Sequence, residues 1–447
     1  MSVLEQLIKG PQFSRRFLGN GSSHADSPER LTHHILNKLV PDRKMRNLSF
    51  RLWDNSQWPD AQMRAATLVL NRPGSLREML LEGSETAMGE AYVKQAFDVE
   101  GDIEAAFEWA DQLMEKTNGW TRKLEIAHLL RQLPEVKSAG ESSSHRARFN
   151  GSRHSPERDR QAISFHYNVS NDFYALWLDR QMVYSCAYFR QSAEDLETAQ
   201  QNKFDHICRK LGLRAGDRLL DIGCGWGGLI LHAARHYGVR AEGITLSEHQ
   251  LAFARKRIEE EGMETRVSVE LRDYRDLSED DAYDAIASVG MVEHVGREKL
   301  ATYFKNVRRL LKPGGLFLNH GIGLGPVIMP GETGSFIHSH VFPDSELVRI
   351  GEMIDFAEGE GWGVRDVENL REHYALTLRH WVRRLESRHE EALRFVDEGT
   401  YRIWRLYMAG CAHNFQTGRL CIYQTLLAKL SEEGASRAPT TRAAWYV

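Results

Sequence analysis

The stretch Asp221–Gly228, DIGCGWGG, limits what this chain can fold into more than any other. It overlaps the end of the apolar run Asp217–Ile222 (DRLLDI), which reads as a buried strand. It leads into Gly228–His236, which has helical spacing. Glycines at a strand-to-helix junction let the backbone turn sharply and let a ligand approach the main chain. The N–H groups at the start of the following helix favour a carboxylate or phosphate. The alternation continues downstream. Arg240–Thr245 reads as a strand, Glu248–Glu260 as a helix, Arg266–Leu271 and Ala282–Ser288 as strands, Arg297–Leu311 as an amphipathic helix and Gly314–Asn319 as a strand. This order predicts a doubly wound α/β sheet with helices on both faces. A dinucleotide site would show G-x-G-x-x-G and an acid at the tip of the second strand. Here the glycines are spaced GCGWGG, and that strand runs into Thr245-Leu246-Ser247, which argues against NAD.

At 447 residues the chain exceeds one ordinary core of roughly 100–200 residues, so two domains are expected. Residues 1–135 read as a small α+β domain. Its strands are Asn47–Trp53 and Ala66–Leu70, and its helices Ser75–Leu81, Asp102–Leu113 and Trp120–Leu133. Residues 136–160 are rich in Ser, Arg and His and lack periodicity, which marks a linker. The second domain is then 161–447, and its last hundred residues read as mainly helical. A formal net charge of -4 gives no bulk attraction to nucleic acid. The five cysteines, at 186, 208, 224, 411 and 421, have no C-x-x-C spacing. They predict neither a disulfide framework nor a metal site and fit a reducing cytoplasm. No apolar stretch approaches the ~18–20 residues of a spanning helix, and the N-terminal residues lack the apolar core of a signal peptide.

Phe165–Phe189, FHYNVSNDFYALWLDRQMVYSCAYF, places many aromatic residues just ahead of the glycine turn. By itself it reads equally as a lid, a greasy channel or core packing. Combined with DIGCGWGG, GITLSEHQ, RDYRDL, SVGMVEHVG and LFLNHGIG, it resembles the cyclopropane-fatty-acyl-phospholipid synthases and the related mycolic acid cyclopropane synthases. The resemblance runs from about Ala162 to Leu430. ATLVLNRPGSLREML and GEAYVKQAFDVEGDI extend it to the first domain of the bacterial phospholipid enzymes.

The resemblance implies a Rossmann-like class I methyltransferase domain that uses S-adenosylmethionine, preceded by the small α+β domain acting in lipid docking or oligomerisation. It implies a cofactor site built from Tyr184, Ser185, Asp221, Gly223, Cys224, Gly225, Thr245, Leu246, Gln250, Asp273 and Tyr274. It also implies a bicarbonate ion near the transferred methyl group, with Cys186, Glu293, His320, the Ile322 backbone and Tyr374 around it. Cys411, in YMAGCAHNF, matches a cysteine of the family pattern. Methyl transfer to an alkene needs no covalent thiol intermediate, so a structural role is the expectation there.

Chemistry gives reasons for these residue types. An alkene is a weak nucleophile, so the methyl donor must be held in line and close. The cationic chain that follows must be shielded from water, and a proton must leave before a ring can close. The substrate implied is an unsaturated acyl chain of a membrane phospholipid, reached by peripheral contact with the inner face of the cell membrane, with a homodimer as a further expectation. A same-fold enzyme that methylates the chain without closing a ring is the alternative. HGIGLGPVIMPGETG and Val292 depart from the usual pattern and leave chain specificity open.

Overall fold

The computed structural model describes residues 27–40, 47–116, 120–135, 149, 151, 155, 158, 161, 169–327, 335–342 and 345–446. Most of the expected linker, the first residues of the aromatic segment and residues 328–334 at the end of the loop after His320 lie outside the described residues.

Residues 27–135 hold a four-stranded sheet of β1 (Leu48–Arg51), β2 (Gln57–Trp58), β3 (Ala66–Leu70) and β4 (Phe97–Gly101), in the order β2-β1-β3-β4. The alternating burial of ATLVL in β3 turns Ala66, Leu68 and Leu70 into the core, as a half-buried strand requires. Helices Pro28–Leu39, Ser75–Leu80, Glu85–Val93, Ile103–Lys116 and Trp120–Gln132 complete this unit.

The larger sheet has seven strands. They are β5 (Arg218–Ile222), β6 (Arg240–Thr245), β7 (Val267–Leu271), β8 (Tyr283–Val289), β9 (Leu311–Leu324), β10 (Gly363–Asn369) and β11 (Leu420–Ala428), in the order β10-β11-β9-β8-β5-β6-β7. The five strands from β7 to β9 are parallel, whereas β11 is antiparallel to both β9 and β10. Strand order reverses at β5, which lies between β6 and β8. Open α/β sheets bind ligands at such a switch point, beyond the C-terminal ends of the strands. The C-terminal hundred residues are helical at Arg371–Ser387 and Glu398–Gln416, but they also supply β10 and β11, which the sequence reading did not anticipate. Exposed residues alternate through β10, as on an edge strand, and β11 is buried along nearly its whole length, so neither shows the short, flanked pattern of an isolated strand.

The two units share one apolar core. Leu36, Phe50, Tyr92 and Trp109 of the first belong to the same buried cluster as Trp177, Trp381, Trp404 and Phe415 of the second. Polar contacts reinforce the junction. Arg405 on helix Glu398–Gln416 donates to the Tyr92 hydroxyl (2.7 Å) and the Val99 carbonyl (3.0 Å). Arg402 donates to the Tyr92 carbonyl (3.2 Å) and pairs with Asp98, and His413 meets Asp111 at 2.7 Å.

Candidate functional site

Two cavities open at the C-terminal ends of the parallel strands and share a wall. The first, of about 160 Å³, is built at the β5 turn. Gly223, Gly225 and Gly227 all take left-handed backbone angles, with φ of +80°, +55° and +85°. Side chains at such angles are strained, so this turn needs glycine. Gly243 on β6 serves a different end, since a Cβ there would lie 2.7 Å from the Cys224 sulfur. All eleven residues expected at the cofactor site line this cavity: Tyr184, Ser185, Asp221, Gly223, Cys224, Gly225, Thr245, Leu246, Gln250, Asp273 and Tyr274.

Local contacts hold them in place. Thr245 Oγ1 donates to Gln250 Oε1 at 2.8 Å, and Asp273 accepts from the Arg275 amide (2.9 Å) and guanidinium (2.6 Å). Asp221 is buried with Oδ1 lacking a hydrogen-bond partner among the described residues, and burial pushes its carboxyl up to about 7. Lys203 also lines this cavity, as do Trp226, Met291 and His294. Sequence reasoning missed Lys203, yet a signal was present. Helix Leu196–Lys210 buries Leu196, Ala199, Gln200, Lys203, Phe204 and Ile207, so a lysine sits in the apolar stripe.

The second cavity is larger, about 680 Å³, and mainly apolar in its lining. Cys186, Glu293, His320, Ile322, Tyr374 and Cys411 all face it. Helices Arg371–Ser387 and Glu398–Gln416 add Leu378, Tyr407, Asn414 and Phe415. Its rim carries Arg297 and Arg349 beside the exposed Leu324 and Val327.

The polar patch in this cavity has a clear construction. Val292 packs against Gly321 so closely that a Cβ on Gly321 would collide with it. That approach brings the 3-10 turn Val292–His294 over β9, where Glu293 Oε1 accepts from the Ile322 amide at 2.7 Å. The Ile322 N–H is therefore engaged with Glu293. The other carboxylate oxygen, Oε2, is buried without a hydrogen-bond partner among the described residues, and burial pushes the Glu293 carboxyl up to about 7. His320 is fully buried on β9, and desolvation holds its imidazole well below the usual histidine range, hence neutral. Gln424 Nε2 donates to His320 Nδ1 (3.4 Å), which leaves the ring proton on Nε2, an atom without a partner among the described residues. Burial raises the Cys186 thiol and pushes that of Cys411 up to about 12, so neither is a thiolate near neutrality.

The described part of the aromatic segment divides between core and wall. Tyr174 and Trp177 are fully buried among Trp226, Trp381 and Trp404. Tyr184 and Ser185, just beyond, line both cavities.

The fold and the first cavity define a class I S-adenosylmethionine-dependent methyltransferase. Residues 154–425 match the family described as mycolic acid cyclopropane synthetase. The chain belongs to that family. It is 42% identical over 403 residues to a probable fatty acid methyltransferase of Pseudomonas putida, covering 89% of this chain and 96% of that one. It is 38% identical over 269 residues to the cyclopropane-fatty-acyl-phospholipid synthase of Escherichia coli K12, covering 60% of this chain and 68% of that one. Among solved structures, mycolic acid cyclopropane synthase CmaA1 complexed with SAH and CTAB superposes with a TM-score of 0.57 at 32% identity, covering 60% of this chain and 97% of that one.

Proposed function

We propose that this chain transfers the methyl group of S-adenosylmethionine to a cis double bond in a phospholipid acyl chain and closes a cyclopropane ring. The observation that carries this reading is the shared wall. Tyr184, Ser185, Val289, Gly290 and His294 border both the glycine-turn cavity and the apolar cavity, so a methyl donor in one faces an apolar chain in the other. The CmaA1 structure, with SAH and the long-chain surfactant CTAB, is a relative that takes both kinds of ligand.

The residues present fit the cofactor. The left-handed glycine turn leaves room at the main chain, and the orphaned Asp221 carboxylate oxygen suits an ammonium group. They also fit a small oxyanion such as bicarbonate, since His320 presents a buried N–H and Glu293 a carboxyl that protonates near neutrality. S-adenosylmethionine supplies an electrophilic methyl group, and bicarbonate a base for the proton lost on ring closure. The chain's own part is to bind, orient and exclude water. Aromatic faces of Tyr184, Tyr374 and Tyr407 line the apolar cavity, where they favour a cationic chain over a neutral one. His320 and Tyr374 orient the anion, and Glu293 ties the β9 backbone to the 3-10 turn. Cys186 and Cys411 act as wall.

Among the described residues no helix is long and apolar enough to cross a membrane. In this reading the chain reaches its substrate by peripheral contact with the cytoplasmic face, through the rim of Leu324, Val327, Arg297 and Arg349. The first unit contributes docking or a homodimer contact. A second reading, methylation without ring closure, is favoured by the name of the Pseudomonas putida relative, which aligns along nearly the whole chain. Incubation with cofactor carrying a carbon-13 methyl and vesicles of a cis-monounsaturated phospholipid separates the two by product NMR. A labelled cyclopropane methylene supports the first reading. A labelled methylene or methyl branch supports the second, and an unlabelled acyl chain overturns both.

A further inference from the structure

Lys203 is buried to within 1% of its surface in the middle of helix Leu196–Lys210, and its side chain reaches the wall of the cofactor cavity. Its ammonium has one hydrogen-bond partner, the neutral Ser185 hydroxyl at 2.9 Å, and no described carboxylate forms an ion pair with it. Three acidic groups lie within electrostatic range, Asp179, Asp221 and the Cys186 thiol. None neutralises it directly. The Asp179 carboxylate is occupied by the amides of Gln181 (3.0 Å) and Val183 (2.8 Å), burial holds Asp221 up to about 7, and the thiol is protonated. On the β9 side the nearby His320 is neutral. A buried ammonium without a counter-ion is costly, and a fold retains one where a ligand completes it.

From the position of its ammonium at the cavity wall, hydrogen-bonded to the Ser185 hydroxyl and 4.5 Å from the Phe204 ring centroid but unmatched by a negative charge, we infer that Lys203 receives the carboxylate of the cofactor's methionine moiety. The inference rests on the cofactor assignment above. With the cofactor bound, Asp221 and Lys203 become a pair of opposite charges for a zwitterion, the incoming ammonium favouring the ionised form of Asp221 as the incoming carboxylate favours the charged form of Lys203. Burial pulls the lysine down to about 8 against the opposing pull of the nearby acidic groups, and an arriving carboxylate favours its charged form, so binding holds the proton on.

Calorimetry without turnover tests this. The probes are S-adenosylhomocysteine and its carboxamide, which keeps the shape and one carbonyl oxygen but carries no negative charge. Wild-type protein binds the acid about tenfold to a hundredfold more tightly than the amide, the range for a charge-assisted bond in a buried site. Lys203→Met removes that preference, binding acid and amide alike, whereas Lys203→Arg keeps part of it. A wild type that binds both ligands equally overturns the inference whatever the variants do. So does a Lys203→Met protein that retains the preference, or one that loses affinity for both ligands by the same factor, since that marks a structural lysine. Failure of the wild type to bind S-adenosylhomocysteine at all would overturn the methyltransferase reading itself.

Discussion

The two cavities are built in opposite ways. The first cavity is small and comes from strand tips, with most of its walls in four short motifs between Tyr184 and Tyr274. The second cavity is about four times larger, and its walls come from segments as far apart as Tyr184 and Ile422, brought together only by the packing of Arg371–Ser387 and Glu398–Gln416 on the sheet. One is a local backbone device, the other a tertiary assembly. The contrast predicts that cofactor binding and chemistry fail separately.

The largest separation comes from Gly223→Val. A β-branched residue at φ of +80° strains the turn and lowers affinity for S-adenosylhomocysteine by about a hundredfold, with the melting transition still cooperative. Calorimetry showing wild-type affinity in the folded variant would break the assignment of the turn. His320→Ala works from the other side. Loss of its buried N–H contact to an anion slows turnover by roughly tenfold to a hundredfold, while cofactor affinity stays within about twofold. Tyr374→Phe should behave alike with a smaller loss. Equal loss of binding and rate in His320→Ala would mean that the cavities are not independent.

This division also decides what the sequence made legible. Ala66–Leu70, Arg240–Thr245 and Glu248–Glu260 have the bounds their periodicity predicts, because local pattern and burial agree there. The eleven residues expected at a cofactor site were brought to one cavity by the same local geometry. Strands β10 and β11 were not legible, since β11 pairs with β9 about a hundred residues earlier and β10 with β11 about sixty residues later, and only that pairing reveals them. Leu378, Tyr407 and Asn414 read as ordinary helix positions until the fold curls them around the second cavity. Lys203 lay between the two cases, visible as a charge in an apolar stripe but without a stated partner.

A third, smaller effect concerns Glu293. Burial raises its carboxyl from an ordinary 4.5 to about 7, so the folded state favours the protonated form. The stability linked to that proton is fully present below about 4.5 and is lost as pH rises through 7. Glu293→Gln, which keeps an acceptor for the Ile322 amide, should therefore be more stable than wild type at pH 8. The gain is on the order of 3 kcal/mol and vanishes as pH falls from 7 towards 4.5. Denaturant titrations at several pH values check this, and a pH-independent difference would contradict it. The smallest effect is that of Cys411→Ala. With its thiol pushed up to about 12, Cys411 supplies no nucleophile at neutral pH, and turnover should change by no more than about twofold. A collapse of activity in the folded variant would give that cysteine a chemical role.

The central claim is that a phospholipid acyl chain occupies the second cavity with its double bond at the wall shared with the first. A crystal structure of the protein with S-adenosylhomocysteine and a cis-monounsaturated phospholipid tests it most directly. The account predicts the double bond beside Tyr184, Ser185, Val289, Gly290 and His294, with the head group outside at the rim of Arg297 and Arg349. A chain bound away from that wall, or a head group lodged inside the cavity, would contradict it.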